Sequence, residues 1–115
     1  VKIFVYGSLM HGEFNHSLLK ESKFLGKAKT KKEFYFYDLG GFPGIVSGGD
    51  TEISGEIYDV DSFTVVELDI LESHPQFYRR SRIELLCGQK VQAYILQGGY
   101  ANGSPLISCG DWKNR

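Results

Sequence analysis

The chain has 115 residues, 42% hydrophobic and 23% charged, enough apolar material for one domain spanning 1–115 whose core needs no disulfide staples. A formal net charge of −1 argues against a nucleic-acid partner, and no apolar run approaches the roughly 20 residues of a membrane-spanning helix. Without a basic-then-apolar leader, the expected location is cytoplasmic.

Residues 2–6 are predicted as the first strand, and Gly7-Ser8-Leu9 interrupts it before a helix can begin. Gly7 has no Cβ, so the chain can turn sharply there and a ligand can reach the main-chain amides, with the Tyr6 and Ser8 hydroxyls beside them. His11 to Glu13 continue the loop, and Asn15 is expected to cap a short helix through Lys20. Lys27, Lys29 and Lys31 then fall on one face of a strand, the pattern of a solvated edge. Phe24 to Asp38 reads as extended chain, with Phe34, Phe36 and Asp38 on one side and Tyr35 and Tyr37 on the other. Leu39 to Gly44 is turn-rich, and Pro43 has no N–H for a ladder. Ile53 to Val60 alternates as a strand, where Gly55 marks a bulge or a close approach.

The period then changes to helical. Asp61 is the expected N-cap, and Phe63, Val66, Leu68 and Leu71 recur at helical spacing to about Ser73, with Pro75 as the stop. Strand alternation resumes at Tyr78, turns through Cys87-Gly88-Gln89 and returns over Val91 to Leu96; the remainder is irregular with a last helical turn. Cys87 and Cys109 fit no metal-ligand spacing and read as reduced thiols, with a disulfide left open. The expected class is α+β, a small mixed β-barrel with short helices.

Glu72 is the candidate for chemistry. It lies in the last turn of the predicted helix, where the partial negative charge of the C-terminus disfavours a carboxylate and raises its pKa. Asp69, one turn earlier, bonds either a backbone amide or Arg80. No Ser/His/Asp or Cys/His arrangement stands out, and His11 and His16 are assigned no role.

Four segments occur in a telling order: Val5-Tyr6-Gly7-Ser8-Leu9, Phe42-Pro43-Gly44, Leu68-Asp69-Ile70-Leu71-Glu72, and Tyr78-Arg79-Arg80 followed by Ile83 and Leu85. The chain resembles the gamma-glutamylcyclotransferase-like family, which includes AIG2-like proteins and gamma-glutamylamine cyclotransferase. The resemblance implies a small barrel around a polar cavity, with Tyr6, Gly7, Ser8 and Leu9 binding substrate through main-chain amides. It also implies Glu72 as the catalytic carboxylate, Tyr78 near the cavity and Arg80 in a structural role. The implied reaction converts a γ-glutamyl amide into 5-oxoproline and a free amine, with no metal and no cofactor. The implied partner is a small γ-glutamyl molecule, with neither nucleic acid nor membrane, and the implied assembly is a monomer or homodimer. Two roles for the loop amides stay open, anchor of the substrate's α-carboxylate or oxyanion hole, as does the identity of the leaving amine. The alternative reading is a non-catalytic small-molecule-binding barrel of the same fold.

Overall fold

The computed structural model describes residues 1–115. Its centre is β1 (Lys2–Val5), in which Ile3 and Phe4 are completely buried. Around it lie β2 (Lys23–Lys29), β5 (Ser54–Asp59), β6 (Tyr78–Glu84) and β7 (Lys90–Leu96), in the order β2–β5–β1–β7–β6. β1 runs antiparallel to β5 and parallel to β7, while β2–β5 and β6–β7 are antiparallel. A separate two-stranded ribbon, β3 (Phe34–Asp38) with β4 (Pro43–Ser47), contributes the fully buried Phe36 and Ile45 to the core.

The fold is the expected α+β type, but the sheet does not close as a complete barrel. Its edges β2 and β6 stand at opposite ends of the sheet order and meet only where the two strands end, through a Thr30–Leu85 bridge and a 2.9 Å bond from the Leu86 amide to the Lys29 carbonyl. Thr30 is fully buried at this junction, and its hydroxyl accepts the Ile53 N–H at 2.9 Å.

The long extended stretch expected from Phe24 to Asp38 divides at this point into β2 and β3, which belong to different sheets. Lys27 and Lys29 line the solvated edge of β2, whereas Lys31 lies past its end and pairs with Glu84. Pro43 is not in the loop but opens β4, a strand position where a missing N–H is tolerated. Gly55 answers to close approach: a Cβ there would lie 2.3 Å from the Val5 carbonyl oxygen. The bulge is instead in β2, between Phe24 and Gly26.

α1 (Ser62–Leu71) is the only α-helix, capped by Asp61, whose Oδ1 accepts the Thr64 N–H at 2.7 Å. Its buried side chains are Val65 and Leu68, while Phe63 and Val66 are 79% and 58% exposed. The apolar periodicity in the sequence therefore mixes two faces. The inward stripe runs Val65, Leu68, Glu72 at helical spacing, so the phase that buries the helix also turns Glu72 toward the interior. No helix is long and apolar enough to cross a membrane. Cys87 and Cys109 are both exposed and unpaired.

Candidate active site

β1 delivers Tyr6 and the Gly7-Ser8-Leu9 loop to one end of the sheet. The loop's carbonyls are all engaged: Gly7 O by the Met10 amide at 3.1 Å, Ser8 O by the Asn15 amide at 2.8 Å, and Leu9 O by His16 Nδ1 at 2.9 Å. Its amides are not, since no group in the chain accepts from the N–H of Gly7, Ser8 or Leu9. Asn15 was expected as a cap, but its side chain makes no capping bond to the short 3₁₀ turn His16–Leu19. Its Nδ2 donates instead to Ser8 Oγ at 3.0 Å, fixing the loop hydroxyl. The buried Glu56 of β5 pins the far end of the loop by accepting the His11 amide at 2.8 Å and the Tyr58 hydroxyl at 2.9 Å. His11 and His16 do not line the cavity described below.

Glu72 is the residue that ends α1, and its position is set by backbone bonds. The Ser73 amide donates to Ile70 O at 3.2 Å and the His74 amide to Asp69 O at 2.9 Å, the two bonds of a Schellman motif. That motif places Ser73 at φ 52°, the left-handed region, which costs a non-glycine residue about 1 kcal/mol. The Tyr78 amide then donates to Glu72 O at 3.3 Å, tying the helix end to the start of β6.

The Glu72 carboxyl is half-buried, and loss of solvent raises its pKa from 4.5 to about 7. Burial, rather than the helix terminus expected from the sequence, is the cause. Asp69 is different. Burial works against its charge, but bonds from Arg80 Nε at 3.0 Å and the Tyr94 hydroxyl at 2.7 Å outweigh it and hold its pKa below the usual range. Arg80 also donates to Gln92, and its amide reaches His74 Nδ1 at 3.0 Å, so this pair braces α1 against β6 and β7. Arg80 does not line the cavity.

Tyr6 and Tyr78 are buried donors. The Tyr6 hydroxyl gives a 2.6 Å bond to Tyr94 O, and that of Tyr78 a 2.5 Å bond to Pro43 O. Burial pushes both phenols up, with the charge of Glu72 adding to the effect, so both stay protonated at neutral pH.

These elements border an open cavity of about 430 Å³, and Tyr6, Gly7, Ser8, Leu9, Glu72 and Tyr78 all line it. Gly7 is required by packing: a Cβ would sit 2.7 Å from Cγ and Cδ of Pro43. The wall also contains Phe14, Asn15, Phe42, Phe77 and Tyr94, which sequence reasoning did not single out as site residues. Phe42 carried a signal in the Phe42-Pro43-Gly44 segment, but Tyr94 had none, because its place depends on the register of β7 against β6. Chemically, the cavity lining combines one carboxyl whose pKa burial raises to about 7 with residues whose backbone amides are unengaged, a combination suited to a zwitterionic ligand.

Comparison with known proteins places this architecture. The family model for gamma-glutamyl cyclotransferase, AIG2-like, matches residues 3–114. A Vibrio cholerae protein named "Putative gamma-glutamylcyclotransferase" is 47% identical over 113 residues, covering 98% of this chain and 96% of that protein. The solution structure of Escherichia coli ytfP superposes with a TM-score of 0.77 at 33% identity, covering 100% of both chains. The crystal structure of a mouse AIG2-like protein has a TM-score of 0.76 at 27% identity, covering 93% of this chain and 85% of that one. The chain belongs to the AIG2-like gamma-glutamylcyclotransferase family.

Proposed function

We propose that the protein is a cyclotransferase that converts a γ-glutamyl amide into 5-oxoproline and a free amine. The observation that carries this reading is the solitary Glu72 carboxyl, with a pKa raised to about 7, sharing a cavity with the unengaged amides of Gly7, Ser8 and Leu9. A γ-glutamyl group presents an α-ammonium and an α-carboxylate on one carbon. Glu72 pairs with the ammonium, and the loop amides receive the carboxylate.

Ring closure needs no protein nucleophile. Glu72 takes one proton from the α-ammonium, and the freed amine attacks the substrate's own γ-carbonyl carbon. A new C–N bond closes the five-membered ring. The former amide C–N bond breaks and the departing nitrogen receives the proton held by Glu72. The ring nitrogen gives up its remaining surplus proton by the same carboxylate to that amine, which leaves as an ammonium, so the carboxylate is regenerated and no water is consumed. A pKa near neutrality suits a group that must accept and then return a proton, and such help is typically worth ~10²–10⁴ in rate. Holding the flexible glutamyl chain bent toward its own carbonyl supplies several kcal/mol more.

The Tyr78 and Tyr6 hydroxyls are engaged by backbone carbonyls, so they shape the cavity wall and keep Pro43 and β7 in place. Mass-spectrometric detection of 5-oxoproline from a panel of γ-glutamyl amino acids and γ-glutamylamines tests the proposal, with wild type and Glu72→Gln run side by side. Turnover that falls at least about a hundredfold in the variant is the expected result. No product from any substrate, with equal binding to both proteins, replaces it with a non-catalytic binding domain.

A further inference from the structure

Two backbone groups of one residue, the N–H and C=O of His11, are held by two side chains that also face each other. Glu56 Oε1 accepts the His11 amide at 2.8 Å, and Lys113 Nζ donates to the His11 carbonyl at 2.6 Å. Lys113 Nζ also stands 3.7 Å from Glu56 Oε2, so one ion pair grips the His11 backbone from both sides. His11 directly follows Met10, whose amide closes the turn onto the Gly7 carbonyl at 3.1 Å. The grip therefore acts next to the turn that presents the Gly7, Ser8 and Leu9 amides.

Lys113 reaches the loop from 102 residues along the chain, and its own place is built. It belongs to the 3₁₀ turn Trp112–Asn114, in which Trp112 is buried and Asp111 Oδ1 accepts the Lys113 N–H at 3.1 Å. The turn is seated on the start of β5. The Ser54 amide donates to Gly110 O at 2.8 Å, and a Cβ on Gly110 would lie 2.0 Å from the Glu52 carbonyl oxygen. β5 also carries Glu56, so both halves of the clamp share one support. Stability is a poor account of Lys113, because its side chain is 38% exposed and an ion pair so open to water adds little. What the pair supplies is a fixed place for the His11 peptide. On the cyclotransferase reading, on which this inference rests, the loop amides anchor the substrate's α-carboxylate equally before and during ring closure. We infer that Lys113, acting through Glu56 and the His11 backbone, is a positioning residue for the substrate-anchoring loop. It sets how tightly substrate is held, and leaves the proton transfers at Glu72 unchanged.

Two variants test this at a half-exposed position where misfolding is not at issue. Lys113→Met keeps the aliphatic stem and removes the ammonium, and Lys113→Arg restores a cationic donor. Hydrogen exchange without ligand reads the clamp itself. The Met10 and His11 amides should exchange at least about fivefold faster in Lys113→Met, with most of the protection returned in Lys113→Arg. Kinetics on the γ-glutamyl compound that wild type turns over fastest reads the function. KM should rise at least about fivefold in Lys113→Met with kcat within about twofold, the mark of lost uniform binding, and Lys113→Arg should return KM toward wild type. Unchanged exchange, or an unchanged KM whatever happens to kcat, overturns the inference. If wild type makes no 5-oxoproline from any γ-glutamyl compound, calorimetry with γ-glutamyl-methylamide replaces the kinetics. Binding to Lys113→Met weakened at least about fivefold then sustains the clamp while the cyclotransferase reading falls. Equal binding to both proteins overturns the inference, and no binding to wild type overturns both readings.

Discussion

Glu72→Gln is expected to stabilise the protein while disabling it, and the stabilisation has a defined pH dependence. The carboxyl is raised from 4.5 to about 7 by burial, so the folded state holds its proton more tightly than the unfolded state does. Between those two values the unfolded chain binds fewer protons, and stability falls as pH rises. The cost is absent below about 4.5, grows through the interval and is complete above about 7, where it amounts to about 3 kcal/mol at most. Partial access to water reduces that figure. Glutamine keeps the shape of the neutral acid and carries no charge at any pH. For a chain of 115 residues, 1 kcal/mol corresponds to about 4 °C in Tm. Thermal unfolding of both proteins across pH 4 to 8.5 should therefore give nearly equal Tm values at the acid end. Glu72→Gln should gain up to about 10 °C at the alkaline end. A difference that is independent of pH, or a variant that is less stable at pH 8.5, refutes the reasoning that burial sets this pKa.

The same ionisation should appear in catalysis: kcat/KM rises with pH to half its plateau near the value of about 7, and a midpoint near 4.5 would contradict the assignment. Tyr78→Phe removes the 2.5 Å bond to Pro43 O and leaves that carbonyl buried without its donor, so urea unfolding should show a loss of about 1–3 kcal/mol; an unchanged midpoint would show that the bond is dispensable. Gly7→Ala drives a methyl to 2.7 Å from the Pro43 ring, and a folded variant by circular dichroism with activity reduced at least about tenfold is expected, whereas full activity would mean that the loop is not held to this geometry. Glu56→Ala deprives the His11 amide and the Tyr58 hydroxyl of their acceptor, so hydrogen exchange over residues 7–16 should accelerate, and unchanged protection would remove Glu56 as the anchor of the loop.

Local signals carried much of this protein. The Asp61 cap, the helical run after it, the hairpin at Gly88 and the strand that stops at Gly7 were legible because caps, turns and side-chain periods act over a few residues. The members of the candidate site were legible as well, through the ordered segments around Gly7, Pro43, Glu72 and Tyr78. What they touch was not. Phe63 and Val66 read as part of the helix's apolar face, yet the sheet covers only a narrow stripe, and which stripe it covers decides that Glu72 points inward. The division of residues 24–38 between two sheets rests on a fully buried Thr30 at the junction of two strand ends, a contact between distant segments. Most telling is the cause of the raised Glu72 pKa. That a carboxyl stands at a helix end is written in the local sequence; that it is partly withdrawn from water and that no cation shares the cavity follow from tertiary packing, because desolvation depends on every element that packs around a group.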